Sequence, residues 1–250
     1  MHGKGSGALR AVVTACLLSG GLAACVPAGL PPAAPPPQPV PAGVAVPPDR
    51  LDPRDAVENF VSVLDAVEPV AEQLCRDTTR GVNCDFLIAV DDRPGQPPNA
   101  FQTLDRQGRP VLGFTVALIA EARNRDEIAF VLGHEAAHHI LGHLPQAQQT
   151  AAAGAMVAGI LASASGADAA AIRSAQQMGA EMGARSYAKE FELEADALGA
   201  EIAIFAGFDP VLGAGFFDRL PDPGDRFLGT HPPNQQRKAV VAGVAARYGL

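Results

Sequence analysis

Apolar and polar positions alternate with clear periods along the C-terminal four fifths of the chain. Residues 55–75 have helical spacing and predict an amphipathic helix, whose apolar positions available for burial are Val57, Phe60, Val61, Val63 and Leu64. Two short apolar runs, 85–90 and 111–116, are separated by turn residues and predict strands. The pattern therefore predicts one α+β domain at residues 54–250, mainly α, with a small antiparallel sheet.

The N-terminal residues 1–24 follow a different pattern, in which a short basic start precedes an apolar run, as in an export signal. The run ends in Leu-Ala-Ala before Cys25, which resembles a bacterial lipobox. We therefore expect cleavage before Cys25 and lipidation of that cysteine. An ordinary signal peptide and an uncleaved anchor helix are the alternatives, although the apolar run is short for a membrane span.

Residues 25–53 predict an extended tether, since 11 of the 28 residues after Cys25 are proline. Such a segment favours polyproline II, which rises about 3 Å per residue, and it buries no core. The residue after the cysteine is Val26, whereas aspartate retains many lipoproteins on the inner membrane. The sequence thus predicts a periplasmic protein that is lipid-anchored, preferably to the outer membrane.

Cys75 and Cys84 remain once Cys16 leaves with the signal and Cys25 carries lipid. In an oxidising compartment we expect them to form a disulfide that contributes about 2 to 3 kcal/mol. A reduced structural pair is the alternative.

The candidate chemistry lies in the sequence H-E-x-x-H at residues 134–138. On a helix, His134 and His138 lie one turn apart on one face, so that two imidazoles can bind one metal ion. Glu135 is then placed to reach a metal-bound water without being a ligand. A His-rich surface helix is the alternative interpretation.

Neighbouring residues support a helix around this motif. Asn124 is predicted as the N-cap, with Glu127 as its capping-box partner. His139 and His143 have the same spacing as the first pair, but Ile140 stands where the general base belongs. We interpret them as a hydrogen-bonded neighbour and as a packing or ligand-supporting residue.

A catalytic zinc site needs a third protein ligand, and the best candidate lies in a helix predicted over residues 189–199. Glu192 and Asp196 share one face of that helix, so that one carboxylate can bind the metal and the other can orient an imidazole. Glu190 and Glu194 are expected to point elsewhere. A solvated acidic helix face is the alternative.

The pairing of these two motifs resembles the zinc metalloendopeptidase family that includes the HtpX heat-shock protease, the mitochondrial quality-control protease Oma and the CAAX prenyl protease. Similarity extends through most of residues 55–240. The further matching segments are 98–101, 113–115, and 229–233 with Arg237. The first two resemble the strand pair that precedes the metal helix, and the last resembles a closing T-H-P-x-x-x-x-R element.

The resemblance implies a zincin-type domain with one Zn²⁺ per chain, bound by His134, His138 and Glu192 and supported by Asp196. It implies polypeptide substrates and proton transfer by Glu135. Strand 111–116 is expected to be an edge strand that pairs with an extended substrate.

A second donor is expected to stabilise the oxyanion of the reaction, and the candidates are His231, Arg237 and Tyr187. The resemblance favours the His231 loop, either as an oxyanion donor or as a latch that closes the zinc site at rest. A helix-capping or surface-loop role for His231 is the alternative.

Charge and composition narrow the function further. The chain has 19 basic and 27 acidic residues, and removal of Lys4 and Arg10 with the signal leaves a net charge of −10. This balance argues against nucleic acid and against anionic lipid surfaces, so we expect membrane contact through the lipid anchor only. The Ala- and Gly-rich segment 150–171 is predicted to form tightly packed helices and not a membrane span.

The two-helix ligand set and the export signal predict an exported, lipid-anchored zinc-dependent metalloendopeptidase. The family resemblance implies that it acts on unfolded or misassembled cell-envelope proteins. One alternative is a non-proteolytic envelope assembly or chaperone-like lipoprotein with a structural or latched zinc. Another is an unrelated H-E-x-x-H hydrolase with a different third ligand.

Overall fold

The computed structural model describes residues 50–222 and 231–250. The predicted export signal, Cys25 and nearly all of the tether lie outside the described residues. The described helices are α1 (Pro53–Thr78), α2 (Val116–Glu121), α3 (Arg125–Ile140), α4 (His143–Ala164), α5 (Ala169–Arg185), α6 (Ala188–Phe205), α7 (Pro210–Gly213), and α8 (Asn234–Arg247). The strands are β1 (Leu87–Asp91), β2 (Ala100–Leu104) and β3 (Pro110–Thr115), and a 3-10 helix covers Ala214–Arg219. This mainly helical α+β architecture is the predicted fold class.

Helix α1 begins where the Asp52 side chain accepts a hydrogen bond from Arg54 N, with Pro53 in the first turn. Its buried face contains Phe60 and Val63 and packs against α3 and the sheet. The prediction that Val57 and Val61 are also available for burial is wrong, because both are exposed. Each lies about 100° around the helix from a buried neighbour, on the solvent side.

The end of α1 is joined to the following loop by the predicted disulfide between Cys75 and Cys84, whose Cα atoms are 5.7 Å apart. Both cysteines are buried in the main core. A loop of this length contributes about 2.5 kcal/mol by restricting the unfolded chain.

The sheet has the order β1-β3-β2 and is mixed. β2 and β3 are antiparallel neighbours joined by a tight turn at Gly108, whereas β1 runs parallel to β3 on its other side. The prediction of an antiparallel sheet is therefore wrong for β1. The prediction that 111–116 is an edge strand is also wrong, because the hairpin from β2 occupies one side of β3 and β1 occupies the other.

Helices α4 and α5 form a hairpin of closely packed small residues, as predicted. A methyl group on Gly154 or Gly183 would overlap the backbone of the opposite helix at Gly179 or Thr150. None of the helices in the described part of the chain combines the length and hydrophobicity needed to span a membrane.

Candidate metal centre

The N-terminus of helix α3 is capped by Asn124, whose side chain accepts a hydrogen bond from Glu127 N at 2.8 Å. This cap was predicted, but Glu127 does not complete a capping box with Asn124. Its carboxylate instead accepts from Arg123 N and pairs with Arg219 at 2.6 Å. Because Glu127 is buried, the pair with Arg219 supplies the charge that a buried carboxylate requires.

Helix α3 reaches α6 by a close backbone approach between Gly133 and Gly199. A Cβ on Gly133 would lie 2.6 Å from Gly199 O, and one on Gly199 would lie 2.7 Å from His134 N. Such distances leave no room for a side chain at either position. The crossing therefore places the start of the H-E-x-x-H segment directly against the helix that contains Glu192.

Three potential metal ligands meet at this crossing: His134, His138 and Glu192. Nε2 of His138 is 3.0 Å from Nε2 of His134 and 3.5 Å from Oε1 of Glu192. Nε2 of His134 is 3.8 Å from Oε2 of Glu192. Donor atoms about 2.0 to 2.1 Å from one tetrahedral ion are about 3.3 Å apart, so these three residues fit a zinc-like ion.

Glu192 is ionised in this setting, as a metal ligand must be. Burial opposes its ionisation, but contacts with His138 and His231 and the positive charge of Arg237 hold its pKa well below the usual value.

Asp196 orients His134, as predicted: its Oδ1 lies 3.0 Å from His134 Nδ1. Asp196 is fully buried and receives two hydrogen bonds of 2.7 Å from Arg237. The guanidinium also lies 4.1 Å from the centre of the Phe217 ring. This bidentate pair holds the carboxylate in place, so that Nδ1–H of His134 donates to it and Nε2 faces the other ligands.

His138 has a corresponding support that was only partly predicted. Its Nδ1 lies 2.9 Å from Nδ1 of His143, whose Nε2 lies 3.2 Å from Glu194 Oε2. Burial and the neighbouring His138 lower the pKa of His143 to about 4, so its ring is neutral at neutral pH. Nδ1–H of His138 therefore donates to His143, and Nε2–H of His143 donates to Glu194. Supporting partners of this kind typically contribute 10- to 100-fold in metal affinity.

The expectation that Glu194 points away from the site is therefore wrong. Gly142 adopts φ 70° and breaks the helix between α3 and α4, which turns His143 back toward His138. His143 then stacks on Phe191, with ring centres 4.4 Å apart. The contact between His143 and Glu194 was not predicted, because the spacing of His139 and His143 was treated as that of one continuous helix. The sequence Leu141-Gly142 is nevertheless one that commonly ends a helix.

His139 has the neighbour role that was predicted for it. Its Nε2 lies 2.7 Å from the backbone oxygen of Asn83, and its ring contacts Phe86 edge-on. It is thereby turned away from the metal ligands.

Glu135 lies beside the three ligands at the floor of a cleft of about 630 Å³. Burial raises the pKa of its carboxyl above the usual value, with His134 and His138 acting in the opposite direction. A carboxylate whose pKa is raised is a stronger base toward a nearby water. The position and the raised pKa suit Glu135 for proton transfer.

The three candidate oxyanion donors occupy different places. His231 lines the cleft, with Nδ1 3.0 Å from Glu192 Oε2, and its choice between donor and latch stays a prediction. Arg237 also lines the cleft, where its guanidinium donates to Asp196 and lies 3.3 Å from Glu192 Oε2. These contacts favour a positioning role, and its role as an oxyanion donor stays a prediction. Tyr187 is exposed at the start of α6 and lines an adjoining groove, not the metal cleft.

A small mixed sheet beside two crossing helices, with two histidines and a glutamate gathered next to a buried acid, defines a zincin-like metallopeptidase. The chain belongs to peptidase family M48, whose family model matches residues 66–244. No curated protein matches the chain.

Proposed function

We propose that this metallopeptidase is a zinc-dependent endopeptidase of unfolded or misassembled cell-envelope proteins. The observation that carries the proposal is the meeting of His134, His138 and Glu192 beside Glu135 in an open cleft. Bound zinc would polarise the peptide carbonyl and lower the pKa of a coordinated water. The donor set of two imidazoles and one carboxylate is one that catalytic zinc sites use.

The chain's own residues account for the remaining steps. Glu135 takes a proton from the attacking water and passes it to the leaving amine nitrogen. Asp196 holds His134 in the tautomer that leaves Nε2 free, and His143 does the same for His138. These partners hold both imidazoles in position before zinc binds, so that little free energy of zinc binding is lost in reorienting the rings.

Two features of the cleft, an edge strand and an apolar lining, support an unfolded polypeptide as the substrate. Ala100 and Gln102 of strand β2 line it, and β2 is an edge strand. An extended peptide can add to such an edge through backbone hydrogen bonds, which place few demands on its sequence. Much of the remaining lining is apolar, as in a site that accepts the interior segments of unfolded proteins.

The metal assignment is tested by replacing Glu192 with alanine. The parent protein is expected to contain one zinc per chain and to cleave casein, with cleavage lost on chelation and restored by Zn²⁺. Glu192→Ala is expected to lower zinc affinity at least 100-fold and to abolish cleavage, because only two imidazoles then remain. Zinc content and competition with a chromogenic chelator measure the affinity.

Glu190→Ala is the matched control, since this exposed glutamate lies on the same helix two residues earlier. It is expected to bind zinc and cleave casein like the parent. Unchanged zinc affinity in Glu192→Ala would contradict the ligand set and favour a hydrolase with another third ligand.

The cellular location is a further part of the proposal, supported by the signal-like residues 1–24 and the lipobox-like sequence before Cys25. Cys25→Ser is expected to remove the protein from the outer-membrane fraction on cell fractionation, because the lipid anchor is lost. Cys16→Ser is the control, since Cys16 lies within the segment that is removed, and it should leave the distribution unchanged. Retention of Cys25→Ser in the outer-membrane fraction would exclude the lipid anchor.

A further inference from the structure

A second cavity of about 500 Å³ lies along the helical hairpin of α4 and α5. We call it the hairpin groove; its lining includes Thr150, Gly154, Val157, Leu161, Met182, Gly183 and Tyr187. Four of these residues are large apolar or aromatic side chains that are exposed: Val157, Leu161, Met182, and Tyr187. Large side chains exposed side by side on a soluble domain commonly mark a binding surface.

The groove arises from the packing of the two helices. Gly154 and Gly183 bring the helix backbones together, because neither position has room for a methyl group. The contact between the helices is therefore made by small residues, and the larger side chains remain at the surface. The exposed apolar side chains are thus a consequence of the same small residues that hold the hairpin together.

The hairpin groove continues the cleft of the metal centre. Along α4, Leu144 and Ala147 line the cleft, and Thr150 and Val157 line the groove, at spacings that keep one helix face. On the opposite side, the neighbours Gly183 and Ala184 line the groove and the cleft respectively. The cleft and the groove therefore adjoin each other along α4 and near the C-terminal end of α5.

The chemistry of this path is apolar. Residues 144–167 contain no Asp, Glu, Lys or Arg, so nothing on α4 between the cleft and the hairpin tip selects a charged partner. From Ala147 to Leu161 the helix rises about 21 Å, a length that roughly six residues of an extended peptide cover.

We propose that the hairpin groove is an additional substrate-binding site. It holds an apolar segment of an unfolded substrate polypeptide while another segment of that substrate occupies the metal cleft. The inference rests on the proposed function, since it requires an unfolded polypeptide as substrate. It predicts a substrate preference: cleavage is favoured when the substrate has an apolar stretch of about six residues beyond the cleaved bond, long enough to occupy the groove.

The test compares a long and a short substrate in the full chain loaded with zinc. The long substrate is reduced casein, and the short one is a casein fragment that spans a single cleavage site and ends within the cleft. In the double variant Leu161→Gln/Met182→Gln, KM for casein is expected to rise about 10-fold. The ratio of kcat/KM for casein to kcat/KM for the fragment should fall by the same factor.

The matched control is Ile160→Gln/Met178→Gln. These two side chains lie on the same helices and are each 61% exposed, against 64% for Leu161 and 54% for Met182, but they do not line the groove. The control is expected to keep the parent ratio. Thermal unfolding of both double variants should match the parent, because no buried side chain is changed.

Binding of fluorescent casein to the zinc-loaded Glu135→Gln protein, followed by anisotropy, separates this inference from the proposed function. The groove substitutions are expected to weaken binding about 10-fold in that background, whether or not cleavage occurs. Unchanged affinity and ratio, or equal effects of both double variants, would overturn the proposal. Two other results would also overturn it. If the parent sediments as a dimer and the groove variant as a monomer, the groove binds a second copy of the chain. If the groove variant loses vesicle binding with casein affinity unchanged, the groove binds a lipid surface.

Discussion

Replacing Glu135 with glutamine is expected to abolish peptide hydrolysis while leaving the metal bound. Glutamine has the shape of glutamate but cannot take a proton from water, and the three ligands that meet at the crossing of α3 and α6 do not include Glu135. Loss of a positioned general base lowers kcat by roughly 10² to 10⁴-fold. Casein cleavage and zinc content, measured on the same preparation, test both halves of the expectation.

Glu135→Asp is the informative companion to this substitution. Aspartate keeps the acid but shortens its reach by one methylene, so that we expect an intermediate loss of kcat with zinc retained. Loss of zinc in Glu135→Gln would make Glu135 a ligand. Cleavage at the parent rate would assign proton transfer to another group.

Replacing Gly199 with alanine is expected to lower both the stability of the fold and the affinity for zinc, although this residue lies outside the cleft. The new Cβ would lie 2.7 Å from His134 N and 2.8 Å from His134 Cα. Both atoms belong to the backbone of α3, so relief requires that the two helices separate. Overpacking of this kind costs about 2 to 3 kcal/mol of unfolding free energy. It also draws Glu192 away from His134 and His138, so we expect zinc affinity to fall at least 10-fold.

Denaturant unfolding of the metal-free protein and zinc competition measure these two effects of Gly199→Ala. Gly243→Ala is the matched control, since Gly243 lies within helix α8 and a Cβ there meets nothing within 4 Å. This control is expected to raise stability by up to about 1 kcal/mol through helix propensity, with zinc affinity unchanged. Parent-like stability and zinc affinity in Gly199→Ala would show that the glycine crossing does not position the ligands.

The local features of the metal helix were predictable from sequence because they depend on neighbours within one turn. The Asn124 cap is a local hydrogen bond, and helical geometry alone places His134 and His138 on one face. Local rules failed where a glycine breaks the helix. Gly142 turns His143 back to His138, and His143 in turn contacts Glu194 on α6.

In the sheet, too, some features were predictable from the sequence and others were not. Apolar runs predicted two of its strands, since strand formation depends on composition and turn residues. Their arrangement depends on which strand takes each side of β3, and this is decided by long-range hydrogen bonds that no local pattern records.

The sequence by itself determined the chemistry available to this protein: two imidazoles and a base at fixed spacing on one helix, carboxylates on another, and a pair of cysteines. Only the tertiary structure decided which of these groups meet. The close approach of Gly133 and Gly199 brings Glu192 to His134 and His138, and the same packing places Arg237 against Asp196. The physical reason is that helical periodicity orients side chains over a single turn, whereas contact between distant segments depends on the shapes of the surfaces that pack together.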